Sequence, residues 1–288
     1  NVRGAIAAEL GADDGDALAV LSIAIDLVPF WHRSAPDEGI DVLERAVQRA
    51  RDTGVGDSGL VARGLLATAK LAWVTGRAEL GRSRSVEAAT LAGGAGEPLV
   101  QAVATAARAF MVATSGDPEH ADELVVSART LAERLGGRDR AEALANALVV
   151  DAVLADGAGE HAGALASLDE AARFAAVADQ WPLVLAVAFY RGRVALRGGR
   201  ADLAREVASD AAELASSIGV QGDLIEQRLT VAAALVELDR VDDAAQVYTD
   251  ALSHAAALGV QAGYAEPGFV GHLAERLVSA PGVGPASP

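Results

Sequence analysis

Five stretches of this sequence read alike when stacked: "TGRAELGRSRSVEAATLAG", "SGDPEHADELVVSARTLAERLG", "DGAGEHAGALASLDEAARFAAVAD", "GGRADLAREVASDAAELASSIG" and "LDRVDDAAQVYTDALSHAAALG". Each opens on a turn and continues as an amphipathic helix. The turn positions Gly76, Gly116, Gly157, Gly199 and Asp239 stand 40, 41, 42 and 40 residues apart. A near-constant step of that length marks a repeat architecture, in which each unit leaves an apolar face that only its neighbour can cover.

The unit is a helical hairpin. A helix of about 18 residues precedes each turn and a second follows it, with Gly136, Gly219 and Gly259 as predicted stops. Asp16, Ser58 and Asp117-Pro118 supply a capping oxygen or a first-turn proline at predicted starts. In the helix after Gly199, Leu203, Val207, Ala211, Leu214 and Ile218 recur at three- and four-residue steps, while Arg205, Asp210 and Glu213 take the opposite face. The prediction is an all-α, right-handed superhelical solenoid of about six antiparallel hairpins across residues 16–259. Residues 1–15 read as the end of a preceding helical junction and 260–279 as a C-terminal cap whose helix spans about 268–279. Residues 280–288, "PGVGPASP" with the alanine before it, read as a disordered tail.

Composition agrees. At 288 residues with 51% apolar side chains but only 4% aromatics, the chain is built for close-packed Ala, Leu and Val helices rather than an aromatic-centred core. A net charge of −16 opposes direct binding to a phosphate backbone. The absence of cysteine removes disulfides, thiolate nucleophiles and thiolate metal sites and fits a reducing cytoplasm. No apolar run is long enough for a membrane span. The start, "NVRGAIAAEL", has neither an initiator methionine nor a signal-peptide layout and reads as the cut end of something longer.

"GVGDSG", residues 54–59, has the G-x-G-x-x-G spacing of a dinucleotide turn. That motif needs a strand before it, and here "EGIDVLERAVQRARDT" is a helix, so a loop with Asp57 or Ser58 capping the next helix is expected. His120 and His161 open the second helices of successive repeats without a second His at i+3 or i+4, so no metal site is expected. Asp13-Asp14 and Asp242-Asp243 fall in turns or first helical turns, where acidic residues suit the helix dipole. No phosphate-loop, nucleophile-elbow or Cys–His pattern occurs, and no enzyme activity is expected.

What remains is the concave surface, lined in such arrays by the first helix of each hairpin. Counted back from the turns, Lys70, Phe110, Asp151 and Arg193 share one register, Arg108 and Arg191 another, and Arg63 and Glu226 a third; with Tyr190 they form the predicted groove for a protein partner or small-molecule inducer. Trp31, Trp73 and Trp181 are expected to pack between hairpins.

Asn1-Val2-Arg3, a Trp-containing helix at Trp31, and the Glu38-Gly39 pair opening the next helix together resemble the junction where the ATPase core of large bacterial STAND-type regulators passes into a tetratricopeptide-like array. The resemblance implies a non-catalytic sensor module controlling an ATPase switch in the same parent chain. ATP and magnesium would then belong to that N-terminal ATPase domain and no cofactor to this segment, and an effector would lie N-terminal to the ATPase. A free-standing tetratricopeptide-like adaptor is the alternative.

Overall fold

The structure, a computed structural model, describes residues 4, 6, 9, 16–52, 57–260, 262, 263 and 266–279. The glycines at 54 and 56 and the tail expected at 280–288 lie outside the described residues, as does most of 1–15. Fourteen helices and no strand are found among those described. They are α1 (Ala17–Asp26), α2 (Val28–Ser34), α3 (Pro36–Asp52), α4 (Ser58–Val74), α5 (Ala78–Ala95), α6 (Pro98–Ala113) and α7 (Pro118–Ala132). Then follow α8 (Gly137–Gly157), α9 (His161–Ala178), α10 (Trp181–Arg197), α11 (Ala201–Ile218), α12 (Gln221–Glu237), α13 (Val241–Leu258) and α14 (Pro267–Ser279).

Helix boundaries follow local chemistry. The Asp16 carboxylate accepts the N–H groups of Leu18 and Ala19 at 3.1 and 3.0 Å, Asp57 accepts Leu60 N–H at 3.0 Å, and Asp117 accepts His120 N–H at 3.2 Å. Asp57, not Ser58, is thus the cap of α4, and the element before it is helix α3. Within the hairpins the turn residue takes a left-handed conformation at Gly76, Gly116, Gly159, Gly199 and Asp239, with φ of 72, 89, 81, 69 and 56°. The third of these is two residues beyond the expected Gly157, which is the last residue of the 21-residue α8; a longer helix postpones the turn. Gly219 and Gly259 end α11 and α13 as left-handed caps, whereas Gly136 instead precedes α8 as its extended N-cap, α7 having ended at Ala132.

The helices pair as α4/α5, α6/α7, α8/α9, α10/α11 and α12/α13, and successive pairs stack. The first unit is irregular. Pro29, lacking an N–H, breaks the first helix into α1 and α2 at Leu27, and α3 packs back on both. A Cβ on Gly39 of α3 would come 2.7 Å from Cβ and Cγ of Trp31, so only glycine lets α3 close over that indole, which is 2% exposed. Trp31 is therefore an inter-helix packing residue, as expected.

Alanine sets the spacing elsewhere: Ala62, Ala102, Ala109 and Ala147 are wholly buried, which lets α4, α6 and α8 approach one another along an inner layer continued by α10 and α12. The apolar core is consequently a spine of linked clusters running with the chain. At its end α14 seats Leu273 and Leu277 on Ala232, Leu235 and Val236 of α12, covering the last inner face, and Arg276 pairs with Glu237.

The array also meets itself. Helix α2 of the first unit touches α12 of the last hairpin. His32 Nε2 stands 3.8 Å from a carboxylate oxygen of Asp223, and the His32 ring lies 5.5 Å from that of Trp181 at 45°. Successive hairpins therefore curl round far enough to bring the first unit against the fourth and fifth hairpins, with a space between.

Candidate functional site

That space is a cavity of about 500 Å³. Its walls come from α1 and α2 (Ile25, Val28, His32), α4 (Arg63, Lys70, Trp73), α6 (Ala107, Phe110), α8 (Glu142, Asn146, Val150) and α10 (Pro182, Ala186, Tyr190). Four hairpins and the first unit contribute, because the first helix of each hairpin is the one turned inward.

One side is aromatic. The Trp73 and Phe110 rings meet edge-on at 4.5 Å, and Phe110 meets Tyr190 at 5.8 Å, joining α4 and α6 to α10 across the curl of the array. Burial, then the Glu266 carboxylate, raises the Tyr190 phenol above its ordinary range against the smaller opposing pull of Trp73 and Arg197. Tyr190 is a neutral wall. The polar wall is made by Lys70, Glu142, Asn146, Gln180, His32 and Arg63. The Asn146 amide donates to the Glu142 carbonyl at 2.8 Å. Arg63 is held by Glu97 at 2.7 Å, and that hydrogen bond, outweighing desolvation, raises its pKa. Lys70 Nζ and Glu142 Oε1 are 3.9 Å apart.

The predicted groove residues divide. Arg63, Lys70, Phe110 and Tyr190 line the cavity together. Arg108, Asp151 and Arg191 do not: they turn to second helices, Arg108 approaching His120 at 3.3 Å, Asp151 accepting from Arg129 at 2.9 Å, and Arg191 pairing with Asp169 at 2.7 Å. Burial, opposed by Arg129, raises the Asp151 pKa.

Arg193 and Glu226 correct the expectation that a charge on an apolar inner helix must face solvent or a partner. They are 0% and 2% exposed, 3.6 Å apart, in the join between α10, α12 and the cap. The guanidinium lies 3.1 Å from the centre of the Phe269 ring and 5.1 Å from that of Phe189. Burial lowers its pKa to about 10 against the pull of Glu266 and Glu226. Glu226 accepts the Gly263 N–H at 2.6 Å. Both residues hold structure rather than line the cavity, since the register counted from a turn fixes position along a helix but not which of three neighbours the side chain meets.

Sequence reasoning did not select His32, Glu142, Asn146 or Gln180; Trp73 packs between hairpins on Phe110, as expected, and also forms the cavity's aromatic wall. Trp181 meets the tilted His32 ring at the closure. Among the described residues no three His, Cys, Asp or Glu side chains gather as a metal cage; His161 instead pairs with Asp156 at 2.8 Å. No described helix is long and apolar enough to cross a membrane.

No family model matches the chain, and no curated protein matches it. Solved structures do. The chain is similar to a Rap protein crystallised in complex with competence and sporulation factor, at 16% identity and a TM-score of 0.55, over 83% of this chain and 70% of that one. It is also similar to BtubC (BKLC) from P. vanneervenii, at 18% identity and a TM-score of 0.57, over 78% of this chain and 93% of that one. Both are helical-repeat proteins of tetratricopeptide-like type. Identities this low speak to fold alone, and the fold is the all-α solenoid of stacked hairpins.

Proposed function

We propose that this chain is a non-catalytic binding module that takes its ligand in the cavity enclosed by the curl of the array. The single observation that carries the reading is a cavity of about 500 Å³, within the range of small-ligand sites, whose wall is assembled from four hairpins and the first unit. An occupant touching five units biases the curvature of all of them, which is how a repeat array converts binding into shape. The Rap protein's complex with competence and sporulation factor supports a fold of this kind serving as a receptor.

The finer part of the proposal is that the module is the sensor array of a STAND-type regulator, its curvature acting on an ATPase domain of the same parent. The motivating residues are Trp31 and Glu38-Gly39, of which Trp31 and Gly39 pack against each other in this structure. The gene upstream of Asn1 decides this part: phosphate-loop codons within the preceding few hundred support the regulator, and a start codon close by replaces it with the free-standing adaptor.

Binding itself is tested by calorimetry and thermal shift on the 288-residue chain, screened against small-molecule and peptide libraries, with Ala107→Trp as the comparison. Ala107 lines the cavity, so the indole occupies the proposed site. Ligands that lose affinity in the variant support the reading. Ligands that bind wild type and variant equally place binding elsewhere and overturn it.

A further inference from the structure

We infer that the occupant is a small apolar zwitterion, an apolar amino-acid derivative or a dipeptide with both termini free. The inference rests on the cavity being the binding site. Three features select this class.

Length comes first. Arg63 and Trp73, at the two ends of the lining part of α4, are ten residues apart, about 15 Å at 1.5 Å per helical residue. An extended peptide advances about 3.3 Å per residue, so more than four or five residues would protrude. The aromatic contacts from Trp73 through Phe110 to Tyr190 and the contact of α2 with α12 further restrict a long chain from threading through. The span therefore favours a short peptide over a long extended one.

The second feature is the lining. Ile25, Val28, Leu66, Val149 and Leu183, with the aromatic wall, favour an apolar body.

Charge is the third. Lys70 is the only lysine in the chain, and it stands on an inner helix facing Glu142, which comes from the hairpin two further on. At 3.9 Å the pair exceeds the 2.7–2.9 Å of a charge-assisted hydrogen bond. Each group therefore retains capacity for a partner of opposite sign, while their sum is neutral. An anion alone would meet Glu142 and a cation alone Lys70. A small zwitterion satisfies both, carboxylate to the Lys70 ammonium and ammonium to the Glu142 carboxylate, turning one loose pair into a ring of four alternating charges. Arg63 does not compete, being committed to Glu97.

The test uses the dipeptide Leu-Phe, its N-acetyl form, which is anionic, and its C-terminal amide, which is cationic, titrated into the 288-residue chain and into Lys70→Met, Glu142→Gln and Ala107→Trp, with circular dichroism confirming that each variant is folded. Wild type should bind the free dipeptide about tenfold or more tightly than either blocked form, since each block removes a charge-assisted contact. Lys70→Met should bring the free and amide forms to within about twofold while keeping the preference over the N-acetyl form. Glu142→Gln should do the reverse. A general loss of structure cannot produce these opposite changes. Equal affinities of the three forms for wild type, or binding by none of them, overturn the zwitterion inference and leave the cavity reading to the library screen. Binding of the free dipeptide unaltered by Ala107→Trp overturns both.

Discussion

Asp223→Asn tests whether the closure between α2 and α12 is formed at a cost that varies with pH. Asp223 is largely buried; burial first and Glu226 second raise its pKa to about 7. The unfolded chain releases that proton near pH 4. Between these values the folded state binds more protons than the unfolded one, so the contribution of Asp223 to stability is greatest below about pH 4 and is lost as pH rises to about 7. At 1.36 kcal/mol per pH unit the full loss is about 4 kcal/mol. The facing groups moderate it. His32 of α2, 3.8 Å away, returns part of the loss while cationic, Trp181 of α10 contributes no charge, and Glu226 on the same helix adds repulsion. A net loss on the order of 2–4 kcal/mol is expected. Asparagine is neutral throughout, so the variant should match wild type below about pH 4 and exceed it at pH 8 by that amount, roughly 3–7 °C in Tm for a chain of this size. The assay is thermal unfolding followed by circular dichroism from pH 3.5 to 8.5, and the difference between the two proteins cancels the titrating groups that do not interact with Asp223. An asparagine variant less stable than wild type at pH 8 refutes the reasoning, because the ionised carboxylate would then be a net asset paired with His32.

Arg193→Ala should destabilise the chain by about 3–5 kcal/mol, because it strands the buried Glu226 carboxylate and removes the cation stacked on Phe269. Limited proteolysis should then cut between residues 260 and 279 faster than in wild type, and Arg193→Met combined with Glu226→Gln should restore much of the stability measured by denaturant unfolding. Gly159→Ala should cost about 1 kcal/mol because φ there is +81°, whereas Gly157→Ala, at a helical position with open space around it, should stabilise by about 0.5–1 kcal/mol. The same melts decide between the two glycines as the turn of the third hairpin.

The period and the caps were legible because they are local. Asp16, Asp117 and the left-handed glycines at 76, 116 and 199 act on their own few residues, so a sequence read in windows finds them. The misplaced turn at Gly157 shows the limit of that reading: a glycine is permitted in a left-handed turn but not compelled to make one, and only the length of α8 distinguishes it from Gly159. The site was harder. Lys70 and Phe110 were found because the inner helix of each hairpin is inferable from the period. Arg193 was misread because a buried arginine is unusual without the aromatic sandwich and two carboxylates that Phe189, Phe269, Glu226 and Glu266 supply from 4 to 76 residues away. His32, Glu142 and Gln180 could not be found at all, since they become wall residues only after the first unit and five hairpins have accumulated enough curvature for the array to meet itself. Small rotations per unit sum to that meeting, and no window of sequence contains the sum.

The same geometry makes occupancy and closure one equilibrium. Val28, Pro29 and His32 line the cavity, and His32 is also the residue that reaches Asp223 and Trp181. A ligand in contact with that wall binds the closed and opened forms of the array with different affinity, and whatever factor closure adds to its affinity, the ligand adds to closure. A tenfold preference is 1.4 kcal/mol, smaller than the 2–4 kcal/mol by which ionisation of Asp223 opposes the folded closure at pH 8. Ligand binding should therefore be tighter in Asp223→Asn than in wild type at pH 8, with the difference shrinking as pH falls and vanishing below about pH 4, a dependence that a cavity uncoupled from the α2–α12 contact would not display.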